Sequence, residues 1–174
     1  MSQSKLHKMN VFIKIFIHLS FIIYALNVLQ QVFGPLHIPP MSETFWNWEW
    51  NVQLIPFYFV GDLFAQYHTN GSWFFWNAVK LSFYNMLLLV PLGVYLSIYK
   101  VSSMKKAAAI IFVVSFGLEI SQLVLSYSGV IIARTFNVDD LILNTVGGVI
   151  GYFIFKQLKL FYRSFHFKKQ HVNG

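Results

Sequence analysis

Cysteine is absent from the chain. That excludes a disulfide framework, a cysteine-ligated zinc or iron–sulfur centre and a thiol nucleophile. Charge is scarce as well. Acidic and basic residues together make up 11% of the 174 residues, where a soluble domain carries about 25%. Such a chain cannot coat a water-facing surface. Nor can it be disordered, because 19 Phe, 9 Tyr and 5 Trp would not stay exposed to water. H-E-x-x-H, G-x-S-x-G and a glycine-rich phosphate loop are all missing. The six histidines (His7, His18, His37, His68, His166 and His171) show no metal-ligand spacing. No metal and no cofactor are therefore expected, and internal repeats and low-complexity tracts are missing too. The remainder is 56% hydrophobic with a mean hydropathy of +0.56. These are the marks of an integral membrane protein.

Four stretches are long and apolar enough for the 20 or so residues that a span needs: about 15–33, 81–99, 107–127 and 141–161. The reading is an all-α polytopic membrane protein with a basic tail at 1–14, a transmembrane domain at 15–161 and a second basic tail at 162–174. The net charge of +7 raises nucleic acid as a partner, but the basic residues gather at chain ends and in one short connection. They form no stripe for a phosphate backbone, so nucleic acid is excluded. Lys5, Lys8, Lys14, Lys100, Lys105, Lys106, Lys156, Lys159, Arg163, Lys168 and Lys169 fall on one side of the four-span arrangement, leaving Lys80 and Arg134 for the other. The positive-inside rule then places both termini in the cytoplasm. The long loop at about 34–80, with all five Trp, and the short loop at 128–138 lie outside. Tryptophan collects at the headgroup level, so the long loop is expected to lie on the membrane. Its segment 52–66, broken by Pro56 and Gly61, reads as interfacial or re-entrant.

An ionisable side chain in hydrocarbon costs about 2.5–3.5 kcal/mol on insertion scales, so the polar residues inside the spans need a reason. Glu119 lies in the outer half of the third span, with Gln122 one turn on and facing a similar way. Two readings stand for Glu119: a protonated hydrogen-bonding strut between helices, or a functional carboxyl. In the fourth span, Asp140, Asn144, Gly147 and Gly151 fall within an arc of roughly 60°. The G-x-x-x-G spacing lets a second helix approach closely. Asn137 is placed to cap this helix, with Asp139 and Asp140 in its first turn at the positive dipole end. Arg134 offers a fork for a carboxylate or a lipid phosphate. Pro91 predicts a kink in the second span, and Asn85 lies in that span's outer half. Ser121, Ser126 and Ser128 lie near this region without a base, so no nucleophile is assigned.

The ordered set NVQLIPF (51–57), NMLLLVPLG (85–93), EISQ (119–122) and RTFNVDDLILNTVGGVIG (134–151) resembles the VanZ-like family of bacterial membrane proteins. The last motif is the specific one: Arg, then Asp-Asp, then Asn-Thr-x-Gly-Gly, following an intramembrane E-x-x-Q. The resemblance covers about 51–155. It implies a cell-envelope role in a Gram-positive bacterium, linked to the glycopeptide teicoplanin, and no agreed reaction. Carried over position by position, it implies Asn85, Glu119, Gln122, Arg134, Asp140 and Asn144 as functional. Asn137 departs from the pattern, since many members have Asp there, and Asp139 is a spatial substitute.

Two classes of function fit. In the first, the protein binds a lipid, a lipid-linked envelope precursor or a glycopeptide at the outer leaflet through Asn85, Glu119, Gln122, Arg134, Asp139, Asp140 and Asn144. In the second, it is a small intramembrane enzyme acting on an envelope lipid, with Glu119 or Asp140 as general acid/base and Arg134 holding a phosphate or carboxylate. A homo-oligomer is compatible with either.

Overall fold

The computed structural model describes residues 11–41, 46–99 and 101–172; Lys5, Lys8 and Lys100 lie outside them. The order is α1 (Val11–Phe33), α2 (Trp48–Asn51), β1 (Val52–Gln53), α3 (Tyr58–Ala65), a π turn (Gln66–Asn70), α4 (Ser72–Leu88), α5 (Val90–Ile98), α6 (Met104–Tyr127), β2 (Phe136–Asn137) and α7 (Val138–Val172). The fold is all-α apart from a two-residue parallel ladder that pairs Val52 with Phe136 and Gln53 with Asn137. Four helical stretches are long and apolar enough to cross a membrane: Val11–Phe33, Ser72–Ile98, Met104–Tyr127 and Val138–Tyr162. The second starts well before residue 81. Trp73 and Trp76, expected in the loop, belong to the first turns of α4, where a helix end can place aromatic rings at headgroup level as readily as a loop can.

Pro91 acts as the sequence predicts. The helix breaks at Leu89, and α5 restarts with Pro91 in its first turn. A proline cannot donate to the carbonyl one turn back, so the break leaves backbone acceptors open. One of them is met from outside, because the Tyr24 hydroxyl on α1 donates to the Leu88 carbonyl over 2.8 Å.

α7 is the centre of the bundle. Its spanning part is the most buried of the four, whereas α1 buries only Val28 and Val32 and lies at the perimeter. Glycine makes the central packing possible. A Cβ on Gly147 would fall 1.7 Å from the Met86 carbonyl oxygen of α4, and one on Gly151 2.5 Å from that of Val90. Gly93 of α5 meets the backbone of Gly148 in the same way, at 1.9 Å. The α4–α5 pair therefore runs parallel to α7 at backbone-to-backbone distance, the close approach that small residues permit between membrane helices. α6 runs antiparallel, with Ile111 against Gly148 and the Ser115 hydroxyl 3.5 Å from the Leu141 carbonyl. Residues 81, 118, 122 and 143 consequently fall toward one end of the bundle. Lys14, Lys105, Lys106, Lys156 and Lys159 fall toward the other.

Among the described residues between α1 and α4, no helix is long enough to span. Ser126 and Asn51 fix the backbone of Arg134: the Ser126 hydroxyl accepts from its N–H at 2.7 Å, and the Asn51 amide donates to its carbonyl at 3.4 Å. The His37 and Met41 N–H groups donate to Val130 and Gly129. These bonds lash both loops together over the end of the bundle opposite the lysines.

Candidate functional site

Asn137 organises the site. Its side-chain oxygen accepts from the Asp139 N–H at 2.9 Å, the expected cap of α7. Its backbone N–H donates to Glu119 Oε2 at 3.2 Å, and its side-chain amide reaches Asp140 Oδ1 at 3.5 Å. One residue thus positions both intramembrane carboxyls. Both line one cavity.

Asp139 and Asp140 part company. Successive helical residues differ by about 100°, so only one can face inward. Asp139, 1% exposed, turns to the segment before α3 and accepts the N–H groups of Phe57 (2.5 Å) and Phe59 (2.8 Å). Phe57 adopts a left-handed backbone (φ 63°), which starts α3 at this anchor. α3 is therefore hung from the first turn of α7, and with the β1–β2 ladder it forms a roof.

Beneath that roof is a cavity of about 640 Å³. α6 contributes Leu118, Glu119 and Gln122, and α7 contributes Asp140, Leu143 and Asn144. Leu81, Ser82, Tyr84 and Asn85 come from α4, and Gln53, Tyr58, Phe59 and Asp62 from the roof. Arg134, Thr135, Asn137 and the end of α1 at Gln31 and Val32 complete the wall. The close contact of Gly147 with Met86 shuts it off one turn below Asn144. Six of the seven candidates read from the sequence, Asn85, Glu119, Gln122, Arg134, Asp140 and Asn144, line this single space. Asp139 does not: its carboxylate is taken up by backbone donors of the roof.

The cavity is polarised by depth. Arg134 is exposed, at the rim, and Asp62 and Asp140 are half-buried. Glu119 and Asn144 are 3% and 2% exposed. The charge of Arg134 reaches Asp140, and Asn85 sits beside the same carboxylate as a hydrogen-bonding partner. Gln122 spends its amide on the Val32 carbonyl at 2.7 Å, joining α6 to the end of α1. Asn144 is different: its Oδ1 is buried with no hydrogen-bond partner. An unmet acceptor of this kind costs about 1–3 kcal/mol, and it belongs to a residue of the cavity wall.

Sequence reasoning missed Gln31, Gln53, Tyr58, Asp62 and Asn137 as wall residues. Asp62 had a usable signal, being a lone carboxylate in the apolar run VQLIPFYFVGDLFAQ. Gln53, Tyr58 and Asn137 reach the cavity through the ladder and the roof, and Gln31 through the end of α1. Among the described residues, no three His, Asp or Glu side chains converge as metal ligands. Chemically, the space offers one cation at its mouth, carboxylate and amide acceptors at depth, and leucines between them.

The family described as VanZ/LLP1 matches residues 21–162. That range contains α2 to α6, just over half of α1 and the whole spanning part of α7. Comparison with curated proteins and with solved structures finds no match. The polar set converging on one cavity and the extent of that match lead to the same conclusion: this multi-pass membrane protein belongs to the VanZ/LLP1 family.

Proposed function

We propose that the protein resides in the cell membrane of a Gram-positive bacterium, with both termini cytoplasmic. There it modulates susceptibility to teicoplanin-type glycopeptides by binding a lipid, a lipid-linked envelope precursor or the drug itself at the outer leaflet. The observation that carries this reading is the polar cavity at the end of the bundle opposite the lysines, with Arg134 at its mouth and an unmet acceptor on Asn144. The charge split supports the orientation, and tryptophans in α2 and α4 suit the headgroup level on that side.

The test is expression in a susceptible host, followed by inhibition assays with teicoplanin and with vancomycin, which lacks a lipid tail. Lower susceptibility to teicoplanin alone is expected. Arg134→Ala and Asp140→Asn should each abolish it at unchanged membrane levels. Equal shifts for both drugs point to a general envelope change, and no shift for either overturns the drug-related reading.

One observation favours a second reading as a lipid-modifying enzyme. Glu119 and Asp140 line the same cavity within electrostatic reach of each other, the placement needed for an acid and a base to share one substrate. Purified protein incubated with radiolabelled envelope lipids separates the two, since only an enzyme converts more lipid than its own molar amount.

A further inference from the structure

Resting on the reading of the cavity as a lipid-facing site, we propose that its occupant is a head group in which a phosphate precedes an ammonium. The phosphate lies at Arg134 and the ammonium reaches inward to Glu119, Asp140 and Asn144.

Depth and charge carry the argument. Arg134 is exposed at the rim, where a guanidinium fork suits a phosphate oxygen pair. Inward from it, the acidic and basic side chains on the wall are all carboxyls: Asp62 and Asp140 half-buried, Glu119 buried. Glu119 and Asp140 lie on the same wall, and Arg134 is the one cationic side chain there among the described residues. A second anion at this depth would be repelled, and an apolar group would leave the polar wall unmet. Asn144 adds an independent requirement. Its buried Oδ1 has no partner, so an occupant that reaches it meets it best with a donor. An ionised phosphate has none to give, and an ammonium has three. An occupant that is anionic at the rim and cationic at depth meets Arg134, the carboxyls and Asn144 together. The leucines on the wall accommodate the first methylenes of an attached chain.

The probes are soluble dihexanoyl phospholipids that share their tails and differ in the head: phosphatidylethanolamine, phosphatidylglycerol and phosphatidic acid. Free phosphoethanolamine is the fourth. Each is titrated calorimetrically into the purified full chain in detergent. Phosphatidylethanolamine should bind at least about ten-fold more tightly than the other two lipids. Glu119→Gln should remove that preference while leaving residual phospholipid binding. Arg134→Gln should weaken all three lipids while keeping their order. Where Glu119→Gln does not remain monodisperse, Asp140→Asn gives the same readout from α7. Phosphoethanolamine binding as well as the lipid would assign the site to a soluble phosphoamine and overturn the lipid source. Equal affinity for the three lipids overturns the head-group assignment and leaves lipid binding standing. No saturable binding by any lipid overturns both.

Discussion

The backbone N–H of Asn137 donates to Glu119 Oε2 across 3.2 Å, tying the buried carboxyl of α6 to the residue that caps α7. The carboxyl inside the membrane and the start of the most buried helix are one structural unit. Asn137 also reaches Asp140, so it sets the spacing of the two acidic groups that face the cavity.

Replacing Asn137 by Ala should therefore act on stability and on the site together. Loss of the cap alone costs about 0.5–2 kcal/mol. A lower thermal midpoint in detergent is expected, along with weaker ligand response, because Asp140 loses a neighbour that holds it in place.

Asp139 and Asp140 should behave as opposites. Asp139→Ala strips acceptors from the part-buried Phe57 and Phe59 N–H groups, at about 0.5–1.5 kcal/mol for each bond lost, and should lower the unfolding midpoint. Asp140→Asn keeps the shape of a side chain that faces the cavity. It should leave the midpoint nearly unchanged while impairing function. Thermal unfolding of both purified variants beside the susceptibility assay checks the division of labour.

The glycines give a steric test. Gly147→Ala would push a methyl group to 1.7 Å from the Met86 carbonyl oxygen, whereas a methyl on Gly117 meets nothing within 4 Å. Gly147→Ala should sharply reduce the yield of monodisperse protein. Gly117→Ala should be neutral or stabilise α6 by about 0.5–1 kcal/mol, the ordinary advantage of alanine in a helix. Fluorescence-detected gel filtration reads both.

Orientation can be checked with single cysteines, since the chain has none of its own. Ser128, after α6, and Ser102, before it, are both exposed. An impermeant thiol reagent applied to intact cells should label Ser128→Cys and spare Ser102→Cys. The reverse pattern would invert the topology.

What the sequence reveals and what it hides divide along a physical line. The spans, the Pro91 break, the Asn137 cap and the Gly147/Gly151 contact follow from local rules: apolar length, a missing donor, a side-chain acceptor at a helix start and the absence of a Cβ. The convergence of Asn85, Glu119, Arg134, Asp140 and Asn144 follows from shared depth. The roof does not follow from local rules. Val52 and Phe136 pair across more than eighty positions, in strands of two residues each, too short to show any period. Gly148 fits no G-x-x-x-G spacing with Gly147 or Gly151, and only its contacts with Gly93 and Ile111 show why it is small. The arc shared with Asn144 singles out Asp140, but the anchoring role of Asp139 follows only from its bonds to the Phe57 and Phe59 N–H groups.

The central claim is that the polar cavity under α3 is occupied by a lipid head group, and a structure determined in a lipid bilayer tests it most directly. The account predicts head-group density inside the cavity, in contact with the Arg134 guanidinium at the rim and the Asn144 carboxamide at depth. A cavity closed by inward collapse of α3, with ordered lipid only around the outside of the bundle, would contradict it.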